Sequence, residues 1–173
     1  MKIDRVITGE LEENCYILGY GDDVLVIDPG DDYDNINKVI NGRNILGILI
    51  THNHFDHVGA LSYFEDIKVY KYDNLEEKEY NIGPFAFNVI FNPGHSSDSV
   101  SYYFKDNKAL FCGDFIFNGS IGRWDLPTGN MIDMKNSIDM IKKYPRGIVI
   151  YPGHGDNTTL GNEIDNNIYF REW

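Results

Sequence analysis

The chain has 173 residues, of which 42% are hydrophobic and 14% aromatic, so it can bury one substantial core and is too apolar for intrinsic disorder. Its formal net charge of -12 opposes a phosphate backbone and argues against a nucleic-acid partner. Because it lacks the apolar run of a membrane span and the charged-then-apolar start of a signal peptide, we expect a cytoplasmic protein with no membrane partner.

The first half of the chain is predicted to form short strands separated by turns. Apolar runs at residues 14–19 and 24–28 flank the turn sequence GYGDD and predict a β-hairpin. Apolar residues at helical spacing predict a helix over residues 33–40. The continuous apolar run at residues 47–51 predicts a strand covered on both faces. A short helix is predicted at residues 58–64.

The second half repeats this style. Its predicted elements are strands at residues 67–70, 85–91, 99–104, 108–114 and 147–151 and a terminal helix at residues 163–170. A loop rich in Gly, Asp and Pro spans residues 118–130, and a stripe of Met134, Ile138 and Ile141 predicts an amphipathic helix over residues 131–143. Many strands with a few interspersed helices indicate one α/β domain over residues 1–173, with mixed sheets between helices.

The potential ligand residues lie where predicted strands end. Three of the five histidines stand in the segment HNHFDH, directly after the predicted strand at residues 47–51. His95 and His154 each follow a Pro-Gly pair that comes after an apolar strand, and Asp114 ends a further strand. Strand ends joined by Gly and Pro turns are where functional side chains gather on a rigid scaffold. Because every histidine lies at a strand end or in a loop, the joint pattern predicts a metal site.

The ligand chemistry is consistent with two metal ions. Imidazole and carboxylate groups suit zinc, iron or manganese. In an extended segment His52 and His54 share a face and can hold one metal, whereas Asp56 and His57 follow where the chain turns and can point toward a second. The set of seven is completed by His95, His154 and a bridging Asp114. Seven ligands fill two sites and leave positions open for water.

The segment THNHFDH resembles the His-x-His-x-Asp-His signature of the metallo-β-lactamase fold superfamily. The Asp-Pro-Gly triplet at Asp28 and then His95, Asp114 and His154 match the rest of the pattern, in order, across essentially the whole chain. Within the superfamily, NCYIL, GSIGRWDLPTG and YPGHGDNTTLGNE are most similar to the small glyoxalase II-like hydrolases. The resemblance implies a four-layer αβ/βα sandwich with a binuclear centre at its edge, holding two zinc ions, or iron or manganese instead.

The resemblance also implies a role for each site residue. Three side chains would bind the first metal: His52, His54 and His95. Three would bind the second: Asp56, His57 and His154. Asp114 would bridge the two, and Asp28 would hold a ligand histidine by its other ring nitrogen, although a simple turn residue is an alternative reading of Asp28.

The implied reaction is hydrolysis of a small-molecule thioester, such as lactoylglutathione or an analogue, by a hydroxide that bridges the metals and that Asp56 orients or deprotonates. Full-length glyoxalase II enzymes carry a C-terminal helical domain that helps bind glutathione, and this chain stops at Trp173 without one. Arg123 stands where those enzymes have a Lys. It could clamp a substrate carboxylate, or it could form an internal pair with Asp125.

Other readings remain open. Persulfide dioxygenases resemble this subgroup and use a single iron, which here would be held by His52, His95 and Asp114. A different ester or lactone hydrolase is also compatible with the motifs. A metal-stabilised binding module without turnover is disfavoured because structural zinc sites close their coordination, usually with Cys ligands.

Overall fold

The computed structural model describes all 173 residues and contains two large sheets, a small ribbon and five helices. The first sheet has five strands in the order β1-β2-β3-β4-β5. Their bounds are β1 Lys2–Thr8, β2 Glu13–Tyr20, β3 Asp23–Ile27, β4 Asn44–Leu49 and β5 Val69–Tyr70. The strands β1, β2 and β3 pair antiparallel, and β3, β4 and β5 pair parallel.

The second sheet has six strands, whose bounds are β6 Glu79–Ile82, β7 Phe85–Phe91, β8 Val100–Phe104, β9 Ala109–Gly113, β12 Val149–Pro152 and β13 Thr158–Thr159. Their order is β13-β12-β9-β8-β7-β6, and only β9 and β12 pair parallel. Between β9 and β12 a short ribbon is formed by β10 Ile116–Phe117 and β11 Ser120–Ile121.

Helices cover the outer face of each sheet. Their bounds are α1 Tyr33–Ile40, α2 Phe55–Val58, α3 Met131–Ile141, α4 Leu160–Asn166 and α5 Ile168–Glu172. None of these helices has the length and the apolar run needed to cross a lipid bilayer.

Three apolar cores separate four layers. Along β2 the side chains alternate, so that Tyr16 and Leu18 join the core between the two sheets while Cys15 and Ile17 join the core beneath α1. A third core, which includes Ile138, lies between the second sheet and helices α3, α4 and α5. The order helix, sheet, sheet, helix is the four-layer αβ/βα sandwich expected from the sequence.

Most of the predicted elements are confirmed, including the hairpin, the helix at residues 33–40 and the buried stripe of α3. The helix predicted at residues 58–64 is wrong, because α2 lies earlier and only a 3-10 turn, Leu61–Tyr63, follows it. The reason is that the backbone N–H of Ala60 donates to Pro29 O and Gly30 O in the neighbouring loop instead of continuing a helix. The predicted terminal helix is broken at Asn167, which has extended backbone angles.

Candidate metal centre

The seven candidate ligand residues converge at one edge of the sandwich. Strand β4 leads through Thr51 into the segment with His52, His54, Asp56 and His57, and α2 begins within it. The second sheet contributes the other three, which follow β7, β9 and β12 and are His95, Asp114 and His154. Each side chain therefore stands on a loop or, for Asp56 and His57, on the short helix α2 that follows the end of a strand, so the rigid sheets fix its position.

Three imidazoles form the first group. His54 Nδ1 lies 3.0 Å from His52 Nε2 and 2.9 Å from His95 Nε2. The three nitrogen atoms are close enough to share one ion. This is the group that the sequence predicts for the first metal.

A carboxylate and two imidazoles form the second group. Asp56 Oδ2 lies 3.3 Å from His154 Nε2 and 3.9 Å from His57 Nε2. Burial acts to raise the pKa of Asp56, but the hydrogen bond with His154 and the charge of His57 together outweigh burial and lower that pKa. The same contact raises the pKa of His154 against the opposing effect of burial. Asp56 is therefore ionised, as a metal ligand must be.

Asp114 lies between the two groups. Its Oδ1 is 3.3 Å from His57 Nε2 and 3.6 Å from His154 Nε2, whereas its Oδ2 is 3.6 Å from His95 Nε2. One carboxylate oxygen thus faces each group. This orientation is the one that a bridging ligand requires.

The hydrogen bonds behind the ligands set the tautomers of the histidines. The Nδ1 atoms of His95 and His154 lie 2.8 Å from Arg123 O and 3.0 Å from Leu11 O. A carbonyl oxygen can only accept a hydrogen bond, so each Nδ1 carries the proton and each Nε2 presents its lone pair to the centre. Backbone carbonyls behind the ligands are a common feature of histidine metal sites.

Asp28 orders two further histidines, His52 and His57, from behind. It is buried and accepts hydrogen bonds from Thr51 N at 2.7 Å, Thr51 Oγ1 at 2.6 Å and His57 Nδ1 at 3.0 Å. Thr51 Oγ1 donates its proton to Asp28. It can therefore accept a hydrogen bond from His52 Nδ1, which lies 3.1 Å away. Asp28 has φ +48°, in the left-handed region that Asp tolerates better than most residues. The structure therefore brings the Asp of the Asp-Pro-Gly triplet into contact with His57.

The centre contains polar atoms that the protein leaves without partners. His57 Nε2 and Asp114 Oδ1 are buried and make no hydrogen bond, although buried polar atoms almost always make one. In the first group, the lone pairs of His52 Nε2 and His95 Nε2 both face His54 Nδ1, which can donate to only one of them. A cation in each group would satisfy all of these atoms, and imidazole with carboxylate is a donor set for zinc, iron or manganese. The residues therefore fit two divalent cations.

Burial and neighbouring charges shift the pKa values of four ligand residues. Burial lowers the pKa of His52 well below its usual value, and the neighbouring His57 adds to this effect. Burial also lowers the pKa of His95. At His57 burial is outweighed by the contacts with Asp114 and Asp28, so its pKa rises well above the usual value, and a cation bound there would displace a proton. The same His57 contact holds the pKa of Asp114 well below its usual range despite burial.

Glu13 is a fully buried acid beside this centre that the sequence analysis missed. Its Oε2 accepts a hydrogen bond from Thr8 Oγ1 at 2.8 Å, and its Oε1 lies 3.8 Å from His57 Nδ1. Burial raises the pKa of Glu13 to about 10, so the group is an uncharged acid. We therefore do not assign it as a metal ligand.

The Asn-Cys-Tyr motif on β2 holds the loop of His154. Asn14 Nδ2 donates to Pro152 O at 3.0 Å and to Gly155 O at 2.9 Å, and Tyr16 OH donates to Pro152 O at 2.7 Å. The loop passes so close to the centre that a Cβ at Gly153 would collide with Asp114 Oδ1. The motif therefore positions a ligand from the opposite sheet.

We expect Asn14→Ala to lower the free energy of unfolding by about 1–3 kcal/mol, because it removes two hydrogen bonds, one of them buried, that tie β2 to the His154 loop. It should also weaken binding of one of two metal ions, since the His154 loop is released. Denaturant unfolding and metal titration measure the two effects. Asn44→Ala is the matched control, because it removes an exposed hydrogen bond to Asp23 Oδ1. Equal losses of stability and of metal binding in the two variants would contradict the role of Asn14 in holding the His154 loop.

The centre lies at the base of a cleft of about 770 Å³. Its walls are largely apolar and are formed outside the ligand set by Leu11, Phe55, Phe117, Ser120, Ile121, Arg123, Leu126 and Pro127. The guanidinium of Arg123 donates to both carboxylate oxygens of Asp125, from Nε at 2.9 Å and from Nη2 at 3.0 Å. Arg123 thus lines the cleft as a member of an exposed ion pair.

A second buried acid missed from the sequence supports the ribbon wall of the cleft. Glu163 is fully buried, and its carboxylate accepts four hydrogen bonds, from Thr158 Oγ1, Asn162 Nδ2, Asn167 Nδ2 and Gly119 N. The last of these fixes the turn between β10 and β11. In the sequence, the Thr-Thr-Leu-Gly-Asn-Glu segment is the motif that marks the position of Glu163.

Comparisons with known proteins identify relatives over nearly the whole chain. A family model described as "Metallo-beta-lactamase superfamily" matches residues 8–91 and 63–154. A Bacillus subtilis (strain 168) protein named "Probable metallo-hydrolase YqgX" is 35% identical, over 96% of this chain and 96% of that protein. A hydroxyacylglutathione hydrolase of Francisella tularensis subsp. novicida (strain U112) is 32% identical, over 94% of this chain and 70% of that enzyme.

Two solved structures are similar over almost their full length. BLEG-1 B3 metallo-beta-lactamase superposes with a TM-score of 0.93 at 31% identity, covering 98% of this chain and 100% of that one. TTHA1623, solved in a di-iron-bound form, superposes with a TM-score of 0.89 at 32% identity, covering 96% of this chain and 99% of that one. The shared fold includes the edge at which the seven residues converge.

Proposed function

This chain belongs to the metallo-beta-lactamase superfamily and is a metal-dependent hydrolase, and we propose that its substrates are small thioesters, with hydroxyacyl thioesters such as lactoylglutathione as the reference case. The hydroxyacylglutathione hydrolase relative supports this proposal. So does the similarity of the Asn-Cys-Tyr and Gly-His-Gly-Asp segments to the glyoxalase II-like group.

The residues would hold two divalent cations, as the distances among their donor atoms allow. We assign His52, His54 and His95 to the first cation. We assign Asp56, His57 and His154 to the second. Asp114 would contribute one oxygen to each. Such cations lower the pKa of a bound water from 15.7 to about 7 and polarise a carbonyl group, without a protein nucleophile.

The chain's own residues would position the water and the substrate. Asp56 is ionised and lines the cleft, so its carboxylate can orient the attacking water and accept its proton. Asp28, Leu11 and Arg123 keep the Nδ1 protons of three histidines pointed away from the centre. The apolar walls exclude bulk water from the carbonyl group, which strengthens electrostatic interactions within the cleft.

The observation that carries the thioester assignment is the scarcity of proton donors for a basic leaving group, since Asp56, once it has accepted the proton of the water, is the one acid on the cleft wall apart from the bridging Asp114. No Lys, Tyr or Cys lines the cleft, and the imidazole nitrogens at its base face the cation positions. An amine leaves only when a general acid protonates it, whereas a thiol has a pKa of about 8.5 and leaves as the thiolate. The cleft is therefore better suited to a thioester than to an amide.

The test is thioester hydrolysis by protein stripped of metal and then loaded separately with zinc, iron(II) or manganese. Release of free thiol from lactoylglutathione and from simpler thioesters should appear only after loading. Asp56→Asn should retain the fold and lose activity by about 10²-fold or more. If no thioester is cleaved under argon by any loaded form, and a persulfide drives oxygen uptake instead, the single-iron oxidation alternative replaces this proposal.

A further inference from the structure

Two apolar side chains stand exposed at the mouth of the cleft. Leu11, in the turn between β1 and β2, is 54% exposed, and Phe55, at the start of α2, is 76% exposed. Both positions are tied to the candidate centre. The carbonyl of Leu11 accepts the hydrogen bond of His154, and Phe55 lies between His54 and Asp56 in the chain. The ligand geometry therefore fixes where these two side chains stand.

The part of the cleft wall that follows β9 in the chain is also apolar. It is formed by Phe117 and Ile121 of the ribbon and by Leu126 and Pro127 of the loop that follows. Glu163 anchors the ribbon from behind through the N–H of Gly119. A substrate in the cleft is therefore surrounded by apolar side chains from both parts of the wall. Exposed apolar groups beside a functional cleft mark a surface that a ligand covers.

The cleft has no unpaired cation on its walls to bind a substrate carboxylate. Arg123 is already paired, because its Nε and Nη2 donate to the two carboxylate oxygens of Asp125. The groove next to Leu11 and Phe55 is lined by Glu10 and Asp31, neither of which is in an ion pair within 4 Å. The rim therefore opposes a second negative charge and lacks a partner for one.

On the basis of the proposed thioesterase function, we propose that the preferred substrate carries apolar, uncharged groups on both sides of the scissile bond. The chemical class is a medium-chain acyl thioester of a short neutral thiol. An acidic thiol such as glutathione would be the poorer carrier, because its carboxylates would have to displace Asp125 and approach the acidic rim.

The test compares matched thioesters on the metal-loaded protein. Hexanoyl-N-acetylcysteamine should exceed acetyl-N-acetylcysteamine in kcat/KM by about 10-fold or more, since a fully buried methylene contributes roughly fourfold. It should exceed hexanoylglutathione by a similar factor. Binding of the uncleavable thioethers S-hexyl-N-acetylcysteamine and S-hexylglutathione, measured by calorimetry, should show the same order of Kd.

Variants test separately the preference for apolar groups and the preference for an uncharged thiol. The double substitution Leu11→Ser and Phe55→Ser should remove most of the dependence of kcat/KM on acyl chain length. Ile132 is an exposed apolar residue outside the cleft, so Ile132→Ser should leave that dependence unchanged. Asp125→Asn should improve the rate on hexanoylglutathione relative to the neutral thioester by about 3–10-fold. The matched control Asp139→Asn, which frees Lys142 on α3, should leave that ratio unchanged.

Each outcome decides one point. Hydrolysis of all thioesters with no chain-length dependence, or with glutathione equal to the neutral thiol, overturns this inference and leaves the proposed function standing. A lack of hydrolysis of every thioester overturns the proposed function. In that case the Kd values of the two thioethers still test the cleft's preference for neutral apolar ligands.

Discussion

Replacement of Asp114 by asparagine is expected to reduce hydrolysis by on the order of 10³-fold. Substitution of a residue that only hydrogen-bonds to a metal ligand typically lowers metal affinity or activity by about 10–100-fold. A larger loss is expected at Asp114, because it directs one carboxylate oxygen toward each group of ligands. An asparagine keeps the volume and one carbonyl oxygen, but its amide nitrogen is a donor and cannot bind a cation. The side chain can therefore serve only one of the two groups.

The measurements are kcat/KM on a cleaved thioester and metal content by elemental analysis. We expect the variant to retain no more than one tightly bound cation per chain. Asp139→Asn is the matched control, since Asp139 is an exposed residue paired with Lys142 on α3. An Asp114→Asn protein with two tightly bound cations and normal activity would show that this residue does not bridge.

The second large effect is expected at Asp28. Asp28→Asn can keep the left-handed backbone, because Asn adopts that region readily. Its amide nitrogen must nevertheless face one of the donors now bound by the carboxylate, at Thr51 or His57. We expect the free energy of unfolding of the metal-free protein to fall by about 1–3 kcal/mol. Metal affinity should fall by about 10–100-fold, since His57 loses its orienting partner.

Asp32→Asn is the control for this prediction. Asp32 also has φ +48°, but it is exposed and accepts a single hydrogen bond from Gly9 N. We expect it to change stability by no more than about 0.5 kcal/mol. Denaturant unfolding without metal and titration with zinc measure both variants. If Asp28→Asn behaves like Asp32→Asn, then Asp28 is a turn residue only.

The sequence predicted the parts of this molecule that depend on local pattern. The run at β4, the stripe on α3 and the spacing of His52, His54 and His57 each carry a periodic or motif signal, and the fold follows from them. The ribbon of β10 and β11 was missed because two-residue strands show no periodicity. The helix at residues 58–64 was misplaced because loop carbonyls take the N–H of Ala60.

The finer geometry of the candidate site could not be read from side-chain identity. The groups that set the tautomers of His95 and His154 are the carbonyls of Arg123 and Leu11, and every residue type has a carbonyl. Similarly, the motif around Glu163 does not show that its carboxylate is buried, because burial depends on Gly119 and Asn167, which the fold brings to it. Such contacts depend on how the two sheets meet, which is a property of the tertiary structure.

The distribution of the ligands along the chain has a consequence for biosynthesis. His52 and His57 emerge from the ribosome before His154, which reaches the centre through the contact of its loop with β2. A complete pair of sites therefore cannot exist until the second sheet has been synthesised. In small zinc domains the ion drives folding, but here both ions would be captured by two sheets that have already met. Metal uptake would then be a maturation step that follows the pairing of the sheets.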